Sequence, residues 1–174
     1  MKTVMAFLLL SGLNLAAQDV QSCPMHKEHV KAASQHHADV EKRGDEAMGF
    51  PHDKTSHHFR LSSDGGVIEV TANHSKDSQN IKAIRDHLTH ITAMFSNGDF
   101  AIPMLVHDLE PPGVTVMREK RSAISYTFEE LPAGARVQIQ TTNPDALTAI
   151  HDFLRFQIED HHTGDTTGVD SAVH

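Results

Sequence analysis

The sequence predicts an α+β domain: a duplicated ββα unit whose antiparallel sheet carries two helices on one face, preceded by a His-rich N-terminal arm. Three observations predict it. Polar and apolar residues alternate on both sides of Asp64-Gly65-Gly66, the pattern of a hairpin. Two later stretches carry apolar residues at helical period, Ile81, Ile84, Leu88, Ile91, Phe95 and then Leu147, Ile150, Leu154, Ile158. The two halves also match. Ala83-Ile84-Arg85-Asp86 with Leu88 and Gly98-Asp99 corresponds to Ala149-Ile150-His151-Asp152 with Leu154 and Gly164-Asp165, at a constant offset of 66 residues.

Taken in order, residues 1–17 join Lys2, an apolar run over residues 4–10 and the small pair Ala16-Ala17. That is the layout of a secretory signal peptide, and the run is shorter than the roughly 20 residues of a membrane span. The expected location is periplasmic or secreted. Residues 18–56 form the polar arm, poor in large apolar groups and expected to be a marginal helix or mobile segment that docks through Met48 and Phe50. Residues 57–165 form the domain. After the hairpin, Asp77 or Ser78 caps the first helix and Ser96-Asn97-Gly98 stops it. A connector with Pro103, Pro111 and Pro112 leads to strands expected at 114–119 and 122–129, then a strand at 136–141. Asn143-Pro144 is a strong start for the second helix, with Asn as cap and Pro in the first turn. Residues 166–174 are small and polar, and a disordered tail is expected.

Composition narrows the chemistry. A formal charge of −8 and the absence of tryptophan leave neither a basic face for phosphates nor a strong stacking platform, so nucleic acid is not an expected partner. One cysteine permits no intramolecular disulfide and no paired-cysteine redox or haem-attachment motif. Histidine is the anomaly. The chain has 15 in 174 residues, about four times ordinary usage, and they are dispersed along it. Imidazole ligates copper, zinc and iron, and it also changes charge between about pH 5 and 8.

The expected metal ligands fall in two groups. Cys23, Met25, His26 and His29 lie within seven residues on the arm; thiolate and thioether select Cu(I), and imidazole completes such a site. His87, His90 and Met94 share one edge of the first helix, with His107 in the following connector as a further ligand. At the 66-residue offset His87 and His90 correspond to Phe153 and Phe156, and Phe95 to His161, which marks that edge as buried. His57 and His58 are adjacent on a strand, so one of them at most reaches a given site. The motifs HExxH, GxSxG, GxGxxG and the Walker loop do not occur. The expected function is an exported metal binder that buffers, delivers or senses copper or zinc, with a metal-transport or efflux protein as partner. The alternative is a metal- or haem-dependent enzyme or redox protein.

Cys23-Pro24-Met25-His26 resembles the heavy-metal-binding segment found beside copper-transporting ATPases and copper-efflux adaptors, which implies copper chemistry for the arm. It departs from that segment at Ser22 and Lys27. The stretch from Met48-Gly49-Phe50 to Phe153-Leu154-Arg155-Phe156-Gln157-Ile158 resembles a little-characterised family of exported bacterial proteins. Some of its members are labelled aspartate carbamoyltransferase, but the Ser-Thr-Arg-Thr loop of that enzyme is missing here.

Overall fold

The computed structural model describes residues 24–170, with the side chains at positions 24–27, 29 and 30 outside that description. The chain divides into two units, Met1–Ser34 and Gln35–His174, and all the contacts below belong to the second. The fold is α+β. The order is α1 (Pro24–Met48), β1 (Thr55–Ser62), β2 (Gly65–Ala72), α2 (Ser78–Ser96), α3 (Ala101–His107), α4 (Val114–Glu119), β3 (Ile124–Leu131), β4 (Gly134–Thr141), α5 (Pro144–Asp160) and β5 (Val169–Asp170).

The strands form one sheet in the order β3-β4-β2-β1-β5. Neighbours are antiparallel except β5, which runs parallel to β1 at Leu61 and Ser62, so the sheet is mixed rather than wholly antiparallel. Register puts Phe59 opposite Ile68, Ile68 opposite Val137, and Val137 opposite Phe128. Because side chains alternate faces, this row and its neighbours two residues away form the inner face. It carries Leu61, Val70, Ala72, Ala135 and Ile139, all buried. The opposite face holds Arg60, Glu69, Thr71, Arg136, Gln138 and Gln140, and water solvates it.

Both long helices lie on the inner face. α2 begins where Asp77 accepts a hydrogen bond from the Asn80 backbone N–H, and it buries Ile81, Ile84, Leu88, Ile91 and Phe95. α5 begins where Asn143 accepts from Asp145 and Ala146, with Pro144 in the first turn, and it buries Ile150, Phe153, Leu154 and Ile158. Each helix pins the hairpin of the other half. Arg85 donates to the carbonyls of Leu131 and Gly134 at the β3–β4 turn. His151, which the offset matches to Arg85, approaches the carbonyls of Ser62 and Gly65 at the β1–β2 turn (2.9 and 3.1 Å). The strand–strand–helix order thus occurs twice, which does not establish a duplication.

Four expectations about the elements change. Residues 114–119 form the helix α4 rather than a strand. Val114, Thr115 and Val116 favour extended chain, but Val114 and Met117 are fully buried one turn apart, and packing overrides propensity. Gly113 makes that packing possible, with φ +84 and a Cβ that would lie 2.0 Å from the Ala149 carbonyl oxygen. The connector contains the helix α3. The arm is not separate from the domain: from Gln35 on, α1 belongs to it, with Val40 fully buried, Phe50 2% exposed, and Arg43 Nε donating to the Val106 carbonyl (2.7 Å). At the other end Val169 and Asp170 form β5 within the expected tail.

Candidate functional site

A cavity of about 340 Å³ lies on the inner face of the sheet, bordered by α1, β1, β2, α2, α3 and α5. Residues that correspond at the 66-residue offset border it from both long helices. His87, Ile91 and Phe95 of α2 border it, and so do their counterparts Phe153 and Gln157 of α5 and His161 just beyond that helix. Corresponding edges of the two helices therefore face one space. Its walls are mostly apolar, but seven histidines reach it: His37, His52, His57, His58, His87, His107 and His161.

Four of the seven are held by carboxylates. His107 Nδ1 donates to Asp160 (2.6 Å) and its Nε2 meets the Gln157 amide oxygen (3.1 Å), with the ring 1% exposed. Asp160 also binds His36 Nε2 at 2.9 Å, joining α1 to α5. Burial alone would raise the Asp160 carboxyl, but the hydrogen bonds from His36 and His107 outweigh it and hold it below the usual range. His37 and His52 both approach Glu41, and His52 also binds Asp45. His58 is held by Asp165, which accepts from its Nδ1 (2.9 Å) and from the Phe59 backbone N–H.

The other three, His57, His87 and His161, have aromatic contacts but no hydrogen bond to their rings among the described residues. His57 stacks between Phe50 (6.3 Å, 19°) and His161 (6.4 Å, 8°). His161 also stacks on Phe59 at 5.8 Å and meets the edge of His107 at 4.9 Å. Phe50 presents its edge to His87 at 5.7 Å. Burial, followed by His52 and His58, lowers the His57 pKa to about 4; the Asp45 charge opposes this. Burial, then His57 and His90, lowers His87 to about 4. Burial, then His107 and His57, lowers His161 to about 3 against the pull of Asp160. All three are neutral at pH 7, each with one nitrogen lone pair that no protein donor occupies. Buried polar atoms are ordinarily paired. Of the four buried side-chain atoms without a partner among the described residues, His37 Nδ1, His57 Nε2 and Gln157 Nε2 belong to the cavity wall, and Tyr126 Oη is the exception.

The expected ligands divide accordingly. His87 and His107 border the cavity, but both ring nitrogens of His107 are engaged. His90 is exposed and Met94 packs on the core; neither borders the cavity. Cys23 lies outside the described residues, as do the side chains of Met25, His26 and His29, whose backbone is in α1. His57 and His161 were not among the expected ligands, although two signals mark them. His57 has the same strand parity as Phe59 and Leu61, and His161 corresponds to the core residue Phe95. Among the described residues, no three His, Cys, Asp or Glu side chains stand ready around one ion. No helix there is long and apolar enough to cross a membrane. No protein-family model, curated protein or solved structure matches the chain.

Proposed function

We propose that the protein is an exported metal binder that buffers, delivers or senses a transition metal, with copper the first candidate and zinc the second. The observation that carries this reading is the set of three neutral imidazoles, His57, His87 and His161, around one cavity without protein hydrogen-bond partners. Neutral imidazole is the ligand form, and all three are half-buried, with His57 Nε2 a buried ring atom that lowers stability unless something else binds it. Four further histidines, fixed by carboxylates, surround them and hold the wall in shape, as outer partners do in metal sites. The stretch from Cys23 to His29 supports the same chemistry independently, with soft donors suited to Cu(I). The two stations fit capture by the arm and retention by the domain, with a metal-transport or efflux protein as donor or acceptor.

Titration of the purified chain with Cu(I) and Zn(II) tests this reading. Two variants accompany it, one with Cys23, Met25, His26 and His29 all changed to alanine, the other with His57, His87 and His161 all changed to alanine. Each is expected to lose part of the bound metal. If the unaltered protein takes up neither metal, alone or in any bound form, the proposal is wrong. Deleting the arm beyond Ser34 would confuse the result, because Val40 belongs to the core.

A further inference from the structure

We infer that the cavity binds a small organic cation, a primary amine of about ten non-hydrogen atoms with an aromatic body and a hydroxyl at its inner end. This goes beyond the metal reading and stands without it.

Size and shape come first. At about 340 Å³ the cavity has room for roughly ten waters, far more than one ion fills. That is the small end of the roughly 300–1,000 Å³ range of ligand pockets. Leu88, Ile91, Phe95 and Phe153 border it, each 5% exposed or less. On the other side His37, Glu41 and His52 reach water, with side chains 30%, 33% and 38% exposed. An amphiphilic occupant fits this gradient, its body among the apolar groups and its charged head beside α1. Gly44 adds room. It lies within α1, where glycine costs about 1 kcal/mol relative to alanine. Its φ is not positive, and among the described residues a Cβ there would meet only Met48 Cε, at an ordinary 3.5 Å. Neither backbone nor crowding requires a glycine at this point of the cavity wall.

Charge gives the sign of the ligand. Among the described residues the wall holds one carboxylate, Glu41, and no Lys or Arg. Asp45, Asp165 and Asp160 stand behind it on His52, His58 and His107. Such a site attracts a cation and repels an anion, and Phe59, Phe95 and Phe153 suit an aromatic body. The unpaired polar atoms supply the remaining contacts. His37 directs Nε2 at Glu41 (3.1 Å), so in the neutral ring its buried, unpartnered Nδ1 is an acceptor. An ammonium brings three donors to this carboxylate and imidazole. Gln157, 4% exposed, has its oxygen on His107 Nε2 and keeps a buried, unpartnered Nε2 as a donor. A ligand hydroxyl accepts from it. His57 Nε2 donates or accepts according to tautomer. The three atoms come from α1, α5 and β1 and belong to the wall of one space.

The test is calorimetric titration of the full chain, stripped of metal by a chelator, with tyramine, 2-phenylethylamine and 3-(4-hydroxyphenyl)propionate near neutral pH. The expected result is one tyramine per chain. Binding of 2-phenylethylamine, which lacks the hydroxyl, should be about three- to tenfold weaker, and the acid should not bind. Glu41→Gln should weaken tyramine binding about tenfold or more. Gly44→Leu, which fills the space from α1, should abolish it. Thermal unfolding checks that both variants fold; should either fail, the three ligands on the unaltered chain decide. The inference is overturned if the unaltered chain binds neither amine, if 2-phenylethylamine or the acid binds as tightly as tyramine, or if either folded variant binds tyramine unchanged. Tyramine uptake that requires Cu(I) or Zn(II) also overturns it and leaves the metal reading in place. Uptake by a chain that takes neither metal sustains it and removes the metal reading.

Discussion

Two sets of histidines border one cavity and behave in opposite ways. His37, His52, His58 and His107 are tied to Glu41, Asp45, Asp165 and Asp160, whereas the His57, His87 and His161 rings have no hydrogen-bond partner among the described residues. The tied set costs the fold less, because each of these imidazoles has a carboxylate partner on at least one ring nitrogen. The untied set resembles a hydrophobic residue in its packing and a ligand in its chemistry. The contrast divides the histidines into those that brace the fold through carboxylates and those whose rings no protein group engages, a division that composition alone cannot make.

Acid should break the contrast most strongly. The folded pKa values of His57, His87 and His161, about 4, 4 and 3, lie below the 6.5 of a solvated imidazole. As pH falls, the unfolded chain takes up protons first. Stability therefore declines between about pH 6.5 and 4, by up to about 1.4 kcal/mol per pH unit for each imidazole. The charged and titratable neighbours that modulate this are His37, His52, His58, His90, His107, Asp45 and Asp160. Urea midpoints measured from pH 8 to 4 should be flat above pH 7 and fall steadily below 6.5. A midpoint that stays constant down to pH 4.5 would show these imidazoles to be solvated or paired.

Next in size is His107→Ala. It empties a fully buried position, leaves Gln157 without its partner and Asp160 with His36 alone, at a cost of about 3 kcal/mol. Urea unfolding at pH 7 reads it directly, and a loss below about 1 kcal/mol would mean that this histidine braces nothing. His57→Phe should do the reverse. It replaces a desolvated, unpaired ring with an apolar one between Phe50 and His161, for a gain of up to about 1 kcal/mol at pH 7. The same variant should show a shallower acid profile and, if the proposed metal site is correct, weaker metal binding, the trade of function for stability expected at a binding site. Smallest is His90→Ala, one turn from His87 but exposed. It should shift stability by less than about 0.5 kcal/mol and leave ligand uptake unchanged. Metal loss in this variant would restore the helix-edge site expected from the sequence.

Much of the fold was legible because local chemistry and global burial agree. The stripe of Ile81, Ile84, Leu88, Ile91 and Phe95, the Asp77 and Asn143 caps and the hairpin at Gly65 are each specified within a few residues. Where they disagree the reading failed. Val114, Thr115 and Val116 carry strand propensity, yet burial of Val114 and Met117 makes them helical. The site was half legible for the same reason. His87 stood out because its counterpart is Phe153. His90 was drawn in with it by helical spacing, although a three-residue step turned it outward to water.

The sequence by itself determined that this chain is α+β, that it has an apolar inner face under two helices, and that it is unusually rich in histidine. Only the tertiary structure decided which imidazoles matter. A pairing such as His107 with Asp160, or the burial of His57 Nε2 away from any protein partner, depends on side chains that are distant in the chain, and neither spacing nor period encodes it. Burial makes the final distinction, because a ring nitrogen is satisfied by water at the surface and needs a partner or ligand inside.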